Sequence, residues 1–243
     1  MMKRVRACGA TPTSFLSLLL ARAIARLHPE SAPLTPTVIV AVDLRKALGT
    51  TAAHHSQVGG LFLPLGQDMQ QADFETQVAA FRRLIADQTY PDNLQDYFWQ
   101  TQDRMERVEQ LPTLQARYQA SAPINQLCLQ YASCVFSYVG KAHLGAAERY
   151  VKEMRTETDS AFMIVVEVSA AAGIFCISFM QRFTTDVYLD TFLDELHQQG
   201  LTYEITDRHP LQIAPIADYR GGWIKEPEAT DEEAKNEYTL IDR

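Results

Sequence analysis

The sequence predicts an α/β fold, with two layers in which helices cover a mixed β-sheet. Of its 243 residues, 47% are hydrophobic and 21% are charged, which is enough apolar material for a packed core. Short runs rich in β-branched residues alternate with longer segments whose apolar residues recur every three or four positions. Helix, strand, strand, helices, strand, hairpin, helix and strand is an order typical of α/β proteins.

The first predicted helix begins near Thr11 and ends near His28, since its apolar residues share one helical face. Basic residues precede it, as in a signal peptide, but Arg22 and Arg26 interrupt its apolar stretch. We therefore expect a core-facing helix and no export signal.

The remaining elements follow from hydrophobic periodicity and turn residues. Helices are predicted at 73–89 with Asp73 as N-cap, at 92–111, at 113–131 in pieces broken around Pro123, and at 185–199. Strands are predicted at 37–42, 59–65, 134–140, 162–168, 174–179 and 201–206, with a hairpin turn at Ala172-Gly173.

Composition excludes several classes of function. The net charge of -8 disfavours nucleic acid as a partner, because phosphates repel an acidic protein. No apolar stretch approaches eighteen residues, so no membrane span is predicted. The four cysteines have neither zinc-ligand nor redox-motif spacing, which predicts no metal site and reduced thiols in a cytoplasmic protein.

Four segments, in order, carry a resemblance to a known family. They are Gly9-Ala10-Thr11 before an apolar helix, Val40-Ala41-Val42-Asp43-Leu44-Arg45, Val58-Gly59-Gly60-Leu61-Phe62-Leu63-Pro64-Leu65, and Phe136-Ser137-Tyr138-Val139-Gly140-Lys141. This series resembles the C-terminal subdomain of the chloramphenicol acetyltransferase-like superfamily, which includes alcohol acetyltransferases and condensation domains. The resemblance covers residues 9–206 and leaves 207–243 as a Pro/Gly-rich, acidic tail.

In that superfamily two subdomains pack side by side, and a tunnel between them admits acyl donor and acceptor. The first subdomain carries an HHxxxDG motif, whose second histidine is the general base. The resemblance implies that this chain is part of an acyltransferase moving an acyl group from CoA or a carrier to a hydroxyl or amine. It also implies acyl-CoA as a possible donor substrate, no covalently bound cofactor, and no activity without the N-terminal half.

The run His54-His55-Ser56-Gln57-Val58-Gly59-Gly60 almost spells this motif, but Gly59 replaces the aspartate. It also lies in the wrong subdomain segment. His55 is therefore only a weak catalytic candidate, and we interpret the run as a polar loop leading into a strand.

Three residues are candidates for contacts in the tunnel. Ser137 and Tyr138 would line it and hydrogen-bond an acyl or acceptor oxygen, although ordinary alternation along a strand is the simpler explanation of this pair. Arg45 would pair with a carboxylate of the missing subdomain, or else form an ion pair within this chain.

Two further hypotheses stay open. The chain could be a non-catalytic binding or assembly module that homodimerises through the former inter-subdomain face, because an apolar surface rarely stays exposed. Alternatively, His55 could form a divergent active site across such a dimer interface. The partner is thus either the missing N-terminal half or a second copy.

The tail divides by composition. Residues 226–237 read EPEATDEEAKNE, and we expect them to make no core contact because they bury too little apolar surface to offset the cost of ordering. Residues 211–216 and Trp223-Ile224 instead carry apolar side chains that could dock on a groove.

Overall fold

The computed structural model describes residues 1–29, 35–52, 54, 57–142, 144–158 and 162–209, with the backbone alone at 123–130. The predicted tail lies outside the described residues from Pro210 onward. Residues Met1–His209 form one compact unit. Its helices are α1 (Met2–Ala7), α2 (Pro12–Leu27), α3 (Gln67–Gln70), α4 (Phe74–Gln88), α5 (Pro91–Glu109), α6 (Leu114–Tyr131) and α7 (Val187–Gln198), with a 3₁₀ helix at Gly145–Tyr150.

The predicted mixed sheet is confirmed, and the described residues contribute five strands to it. They are β1 (Thr37–Asp43), β2 (Val58–Pro64), β3 (Cys134–Lys141), β4 (Ile164–Ala171) and β5 (Ile174–Gln181). Their order across the sheet is β2-β1-β3-β4-β5. The three central strands are parallel, and each outer strand is antiparallel to its neighbour. Parallel neighbours need crossover connections, and the helices between β2 and β3 supply one of them.

Helix α2 begins where the sequence predicts. The Thr11 hydroxyl accepts from the Ser14 backbone N–H at 3.1 Å, Ser14 Oγ accepts from the Thr11 N–H at 3.0 Å, and Pro12 occupies the first turn. Almost all of its apolar residues are buried, so α2 is the central helix of the core. Helix α1, ahead of the predicted domain start, adds the buried Val5 to the same core.

A buried ionic cluster ties α2 to α7 and α4. The Glu195 side chain is 0% exposed and accepts from Arg22 Nε at 2.7 Å and from Arg26 Nη1 at 2.9 Å. Arg22 also donates to Gln77 Oε1 at 2.7 Å, and the Gln77 amide donates to the Met69 carbonyl at 2.9 Å. The buried Glu195 and Gln77 side chains of this cluster therefore both have hydrogen-bond partners, as burial requires.

The N-cap predicted for α4 is present. Asp73 Oδ1 accepts from the Thr76 backbone N–H at 2.7 Å, and this bond lowers the pKa of Asp73.

Because the folded-state pKa of Asp73 lies below its unfolded value, the stabilisation is present at neutral pH and is lost as pH falls through the folded value. We expect the difference in urea midpoint between wild type and Asp73→Ala to shrink when pH is lowered below about 3.9. Asp73→Asn keeps the acceptor without titrating, so its advantage over alanine should stay constant. A wild-type difference equally constant with pH would contradict this role.

The β4–β5 hairpin turns at Ala172 and Gly173, as predicted. Both have positive φ, 49° and 83°, which is the geometry of a two-residue type I′ turn. The predicted C-terminal stop of α7 at Gly200 is also confirmed, with φ 71°.

Two local predictions are wrong. The backbone of α6 is helical through Pro123, because a proline removes one amide donor and can bend a helix without ending it. Residues 201–206 form no strand and run irregularly after α7. Apolar and polar residues alternate in this segment, which is typical of a strand with one buried face. A strand also needs a hydrogen-bonded neighbour, and these residues have none among the described strands.

Candidate functional site

The two faces of the sheet have different surroundings. One face, here the core face, packs against α2, α4 and α7 and carries Val40, Leu63, Phe136, Val166 and other buried residues. Alternate residues point the other way and make up the second face. The second face includes Ile39, Ala41, Gly60, Phe62, Val135, Ser137, Val165, Glu167, Ser169, Cys176, Ser178 and Met180.

The second face is half-exposed over its β2, β1 and β3 part. Phe62 is 37% exposed, and Ala41, Val135 and Ser137 are of intermediate burial. Ile39 and Val165 are buried, yet neither belongs to the main core cluster. The second face is therefore largely apolar and only partly covered.

A polar row crosses this apolar surface. Ser137 on β3 is in register with Glu167 on β4, and Glu167 is in register with Ser178 on β5. All three side chains are half-buried, and no described residue forms a hydrogen bond or ion pair with any of them. A carboxylate in this position can accept hydrogen bonds from a bound group.

The segment 151–158 covers the β4 and β5 part of the second face. The Ser169 hydroxyl donates to the Met154 carbonyl, and the Thr158 N–H approaches Met180 Sδ at 3.3 Å. This leaves the polar row at the boundary between the covered part and the half-exposed part.

The structure separates the two tunnel candidates of β3. Ser137 lies on the second face, whereas Tyr138 lies on the core face and stacks on Phe175, with ring centroids 6.4 Å apart. The sequence already contained the signal for this, since neighbouring residues in a strand point to opposite faces. It also contained a signal for Glu167, the one charged residue within an apolar strand.

Arg45 follows the end of β1 and pairs within the chain. Its Nη1 lies 3.1 Å from Asp43 Oδ2, and its backbone N–H donates to Asp43 Oδ1 at 3.0 Å. The backbone hydrogen bond is the main reason that the pKa of Asp43 is lowered. A contact between Arg45 and another subdomain stays a prediction.

The motif-like loop lies at the start of β2. His54 is exposed, whereas His55 and His143 lie outside the described residues, and His197 is exposed on α7. A Cβ atom at Gly59 would lie 2.9 Å from Tyr97 Cε1 and 3.2 Å from Leu44 Cδ2. The aspartate of HHxxxDG would not fit at position 59 unless these side chains moved.

Within the described ranges, no group of three His, Cys, Asp or Glu side chains is arranged to hold a metal ion. Burial raises the pKa of the Cys134 thiol, while Cys8 and Cys176 are half-buried free thiols. Cys128 falls among the residues described by backbone alone. Among the helices that are described, none is long and apolar enough to cross a membrane.

Comparison with known proteins shows similarity at the level of structure. No protein-family model and no curated protein matches the sequence. The fold is similar to the condensation domain from monacolin K polyketide synthase MokA, with TM-score 0.50 and 15% identity over 81% of this chain. It is also similar to the condensation domain involved in chain release from the enacyloxin polyketide synthase, with TM-score 0.51 and 11% identity over 85% of this chain.

These alignments cover 43% and 40% of the two solved chains, so the chain spans less than half of their length. The predicted resemblance is confirmed at the level of the fold: the chain has an α/β fold similar to part of these two condensation domains.

Proposed function

We propose that this chain is the C-terminal half of an acyl-transferring domain and works when a partner half docks on its second face. The observation that carries the proposal is the half-exposed second face, which is apolar around the polar row of Ser137, Glu167 and Ser178. The share of the solved condensation domains that the fold covers supports it, because it leaves room for a second half.

In the proposed reaction, a base removes the proton of an acceptor hydroxyl or amine as the acceptor attacks the thioester carbonyl of an acyl-CoA or an acyl carrier. The acceptor–carbonyl bond forms, the carbon–sulfur bond breaks, and the thiolate takes up a proton. None of the described strand residues on the second face is a histidine, so the partner half supplies the base in this scheme.

The residues of this chain then have distinct proposed roles. Ser137 faces the partner and donates a hydrogen bond to an acyl or acceptor oxygen. Tyr138 lies on the core face and would act only by holding β3 in place against Phe175. Arg45 would contact a partner carboxylate while retaining Asp43.

We expect no acetyl transfer from acetyl-CoA to an amine or alcohol acceptor by the chain alone. Transfer should appear when the polypeptide encoded directly upstream is co-expressed and co-purified with it. Ser137→Arg should lower that transfer at least tenfold, because a charged side chain would be placed at the docking surface. Gln115→Arg adds the same charge on an exposed part of α6 and should leave transfer unchanged.

Transfer by the chain alone would contradict the proposal, and so would an upstream region that encodes no HHxxxDG-containing half. Equal transfer rates for Ser137→Arg and Gln115→Arg would show that the partner half does not dock on the second face.

A second candidate is the non-catalytic assembly module. The apolar part of the second face favours it, because Ile39, Val135 and Phe62 could be covered by another copy. Light scattering at micromolar concentration distinguishes the two: a monomer excludes the homodimer, and a dimer dissociated by Ser137→Arg supports it.

A further inference from the structure

The carboxylate of the polar row has no opposite charge beside it. Glu167 is half-buried, and its register neighbours Ser137 and Ser178 are uncharged. No lysine or arginine occupies a second-face position on the described strands, and no described residue forms an ion pair with Glu167. A carboxylate that has lost part of its hydration favours a cationic partner that also donates hydrogen bonds.

The segment 151–158, here called the strap, is fixed at two points on the second face. The Met154 carbonyl accepts from the Ser169 hydroxyl, and the Thr158 N–H lies 3.3 Å from Met180 Sδ. Ser169 lies on β4, two residues to one side of the polar row, and Met180 lies on β5, two residues to its other side. The strap therefore crosses the polar row between its two fixed points.

Thr156, midway between these two points, brings a further hydroxyl to the β4 and β5 part of the row. Its Oγ1 is buried and has no hydrogen-bond partner among the described residues. Because a buried hydroxyl without a partner lowers stability, such an atom points to a bound group that is not part of the chain. Arg155, the next residue in the strap, already pairs with Glu153 and Asp207.

The oxygens of Glu167, Ser178 and Thr156 match one kind of ligand. A primary ammonium group has a positive charge and three N–H donors, one for each of these three residues. It holds oxygens at about 2.9 Å, and its tetrahedral shape keeps two of them about 4.7 Å apart. Neighbouring strands are about 4.8 Å apart, so Glu167 and Ser178, which are in register, can bind it together.

We propose that Glu167, Ser178 and Thr156 form a binding site for a primary ammonium group. If the chain is half of an acyltransferase, as proposed above, this group belongs to the acceptor. A protonated amine is not a nucleophile, so the acceptor carries a second group that reacts and is a diamine or an amino alcohol. That second group loses its proton to the base and forms the bond to the acyl carbon as the thiolate leaves, while the bound ammonium keeps its protons.

The site is tested first on the full chain by itself. We expect n-butylamine, which is protonated at neutral pH, to shift the NMR signals of the Glu167 and Ser178 amides, with a dissociation constant in the millimolar range because the site is half-exposed. Tetramethylammonium has the same charge but no N–H donor, and it should bind about tenfold more weakly or not at all.

Variants assign the binding to these residues. Glu167→Gln should weaken n-butylamine binding at least about tenfold, because it removes a charged acceptor. Glu109→Gln makes the same change of charge at an exposed position on α5 and should leave binding unchanged. Thr156→Val should weaken binding without lowering the urea midpoint, since its hydroxyl has no partner to lose in the free protein.

A lysine of the partner half is the other source of an ammonium group, and the co-purified pair distinguishes the two. If the acceptor supplies the group, the pair should transfer acetyl to 1,4-diaminobutane with a kcat/KM at least about tenfold above that for n-butylamine, because only the diamine can bind by one amine and react by the other. Glu167→Gln should remove this preference. A pair that no longer binds n-butylamine and shows no preference would overturn the assignment to the acceptor.

The binding site itself is overturned if the chain does not bind n-butylamine, or if wild type and Glu167→Gln bind it equally. A lowered urea midpoint for Thr156→Val would mean that the hydroxyl has a structural partner, and it would remove Thr156 from the site. Binding by the chain with no acyl transfer by the pair would contradict the proposed function while supporting the ammonium site, so the two failures are distinguishable.

Discussion

Replacing Glu195 by alanine is expected to lower the free energy of unfolding by about 3 kcal/mol, because it removes the charged acceptor of two hydrogen bonds from partly buried arginines. The Glu195 side chain is 0% exposed and is the shared acceptor for Arg22 and Arg26. Loss of Glu195 should also loosen α4, since Arg22 connects the cluster to Gln77. Urea unfolding followed by circular dichroism measures the change.

Asp194→Ala is the matched control on the same helix. Its carboxylate is 67% exposed and 3.8 Å from Arg26 Nη2, so we expect a loss below about 1 kcal/mol. Comparable losses for the two variants would mean that burial does not set the strength of this cluster.

The second large effect is expected for Phe136→Ala. Phe136 is 0% exposed on the core face of β3, in register with Val40 on β1 and Val166 on β4. Removing its ring leaves a cavity in the middle of the sheet, and we expect a loss of about 3–5 kcal/mol in the free energy of unfolding.

Val139→Ala, three residues along the same strand, provides the comparison. Val139 is 53% exposed at an irregularity in the β3–β4 pairing, so its truncation should cost less than about 0.5 kcal/mol. A small loss for Phe136→Ala would show that the surrounding side chains collapse into the space left by the ring.

Local signals in the sequence predicted most of the fold. The Thr11 cap, the Asp73 cap and the Ala172-Gly173 turn each depend on a few neighbouring residues, and each is present. Of the two wrong predictions, the helix break at Pro123 is a local error, whereas the strand at 201–206 depends on a distant partner. Residues 201–206 have the pattern of a strand, but that pattern does not state which edge they would meet.

The candidate site was predicted only in part, for the same reason. Ser137 was identified from its segment, but its neighbours Glu167 and Ser178 follow from the register of β3 with β4 and of β4 with β5. A register between parallel strands separated by a long connection leaves no trace in the local sequence. The apolar setting of the polar row therefore appears only after the sheet is assembled.

Gln88, on α4, hydrogen-bonds the outer edge of strand β2. Its side-chain amide occupies the place that a neighbouring peptide group would take beside Phe62, so the backbone of this residue offers no free hydrogen-bonding group to another strand. A single helix side chain thus makes the two hydrogen bonds that the backbone of a further strand would make at Phe62. A protein that added a strand alongside Phe62 would first have to displace the Gln88 side chain.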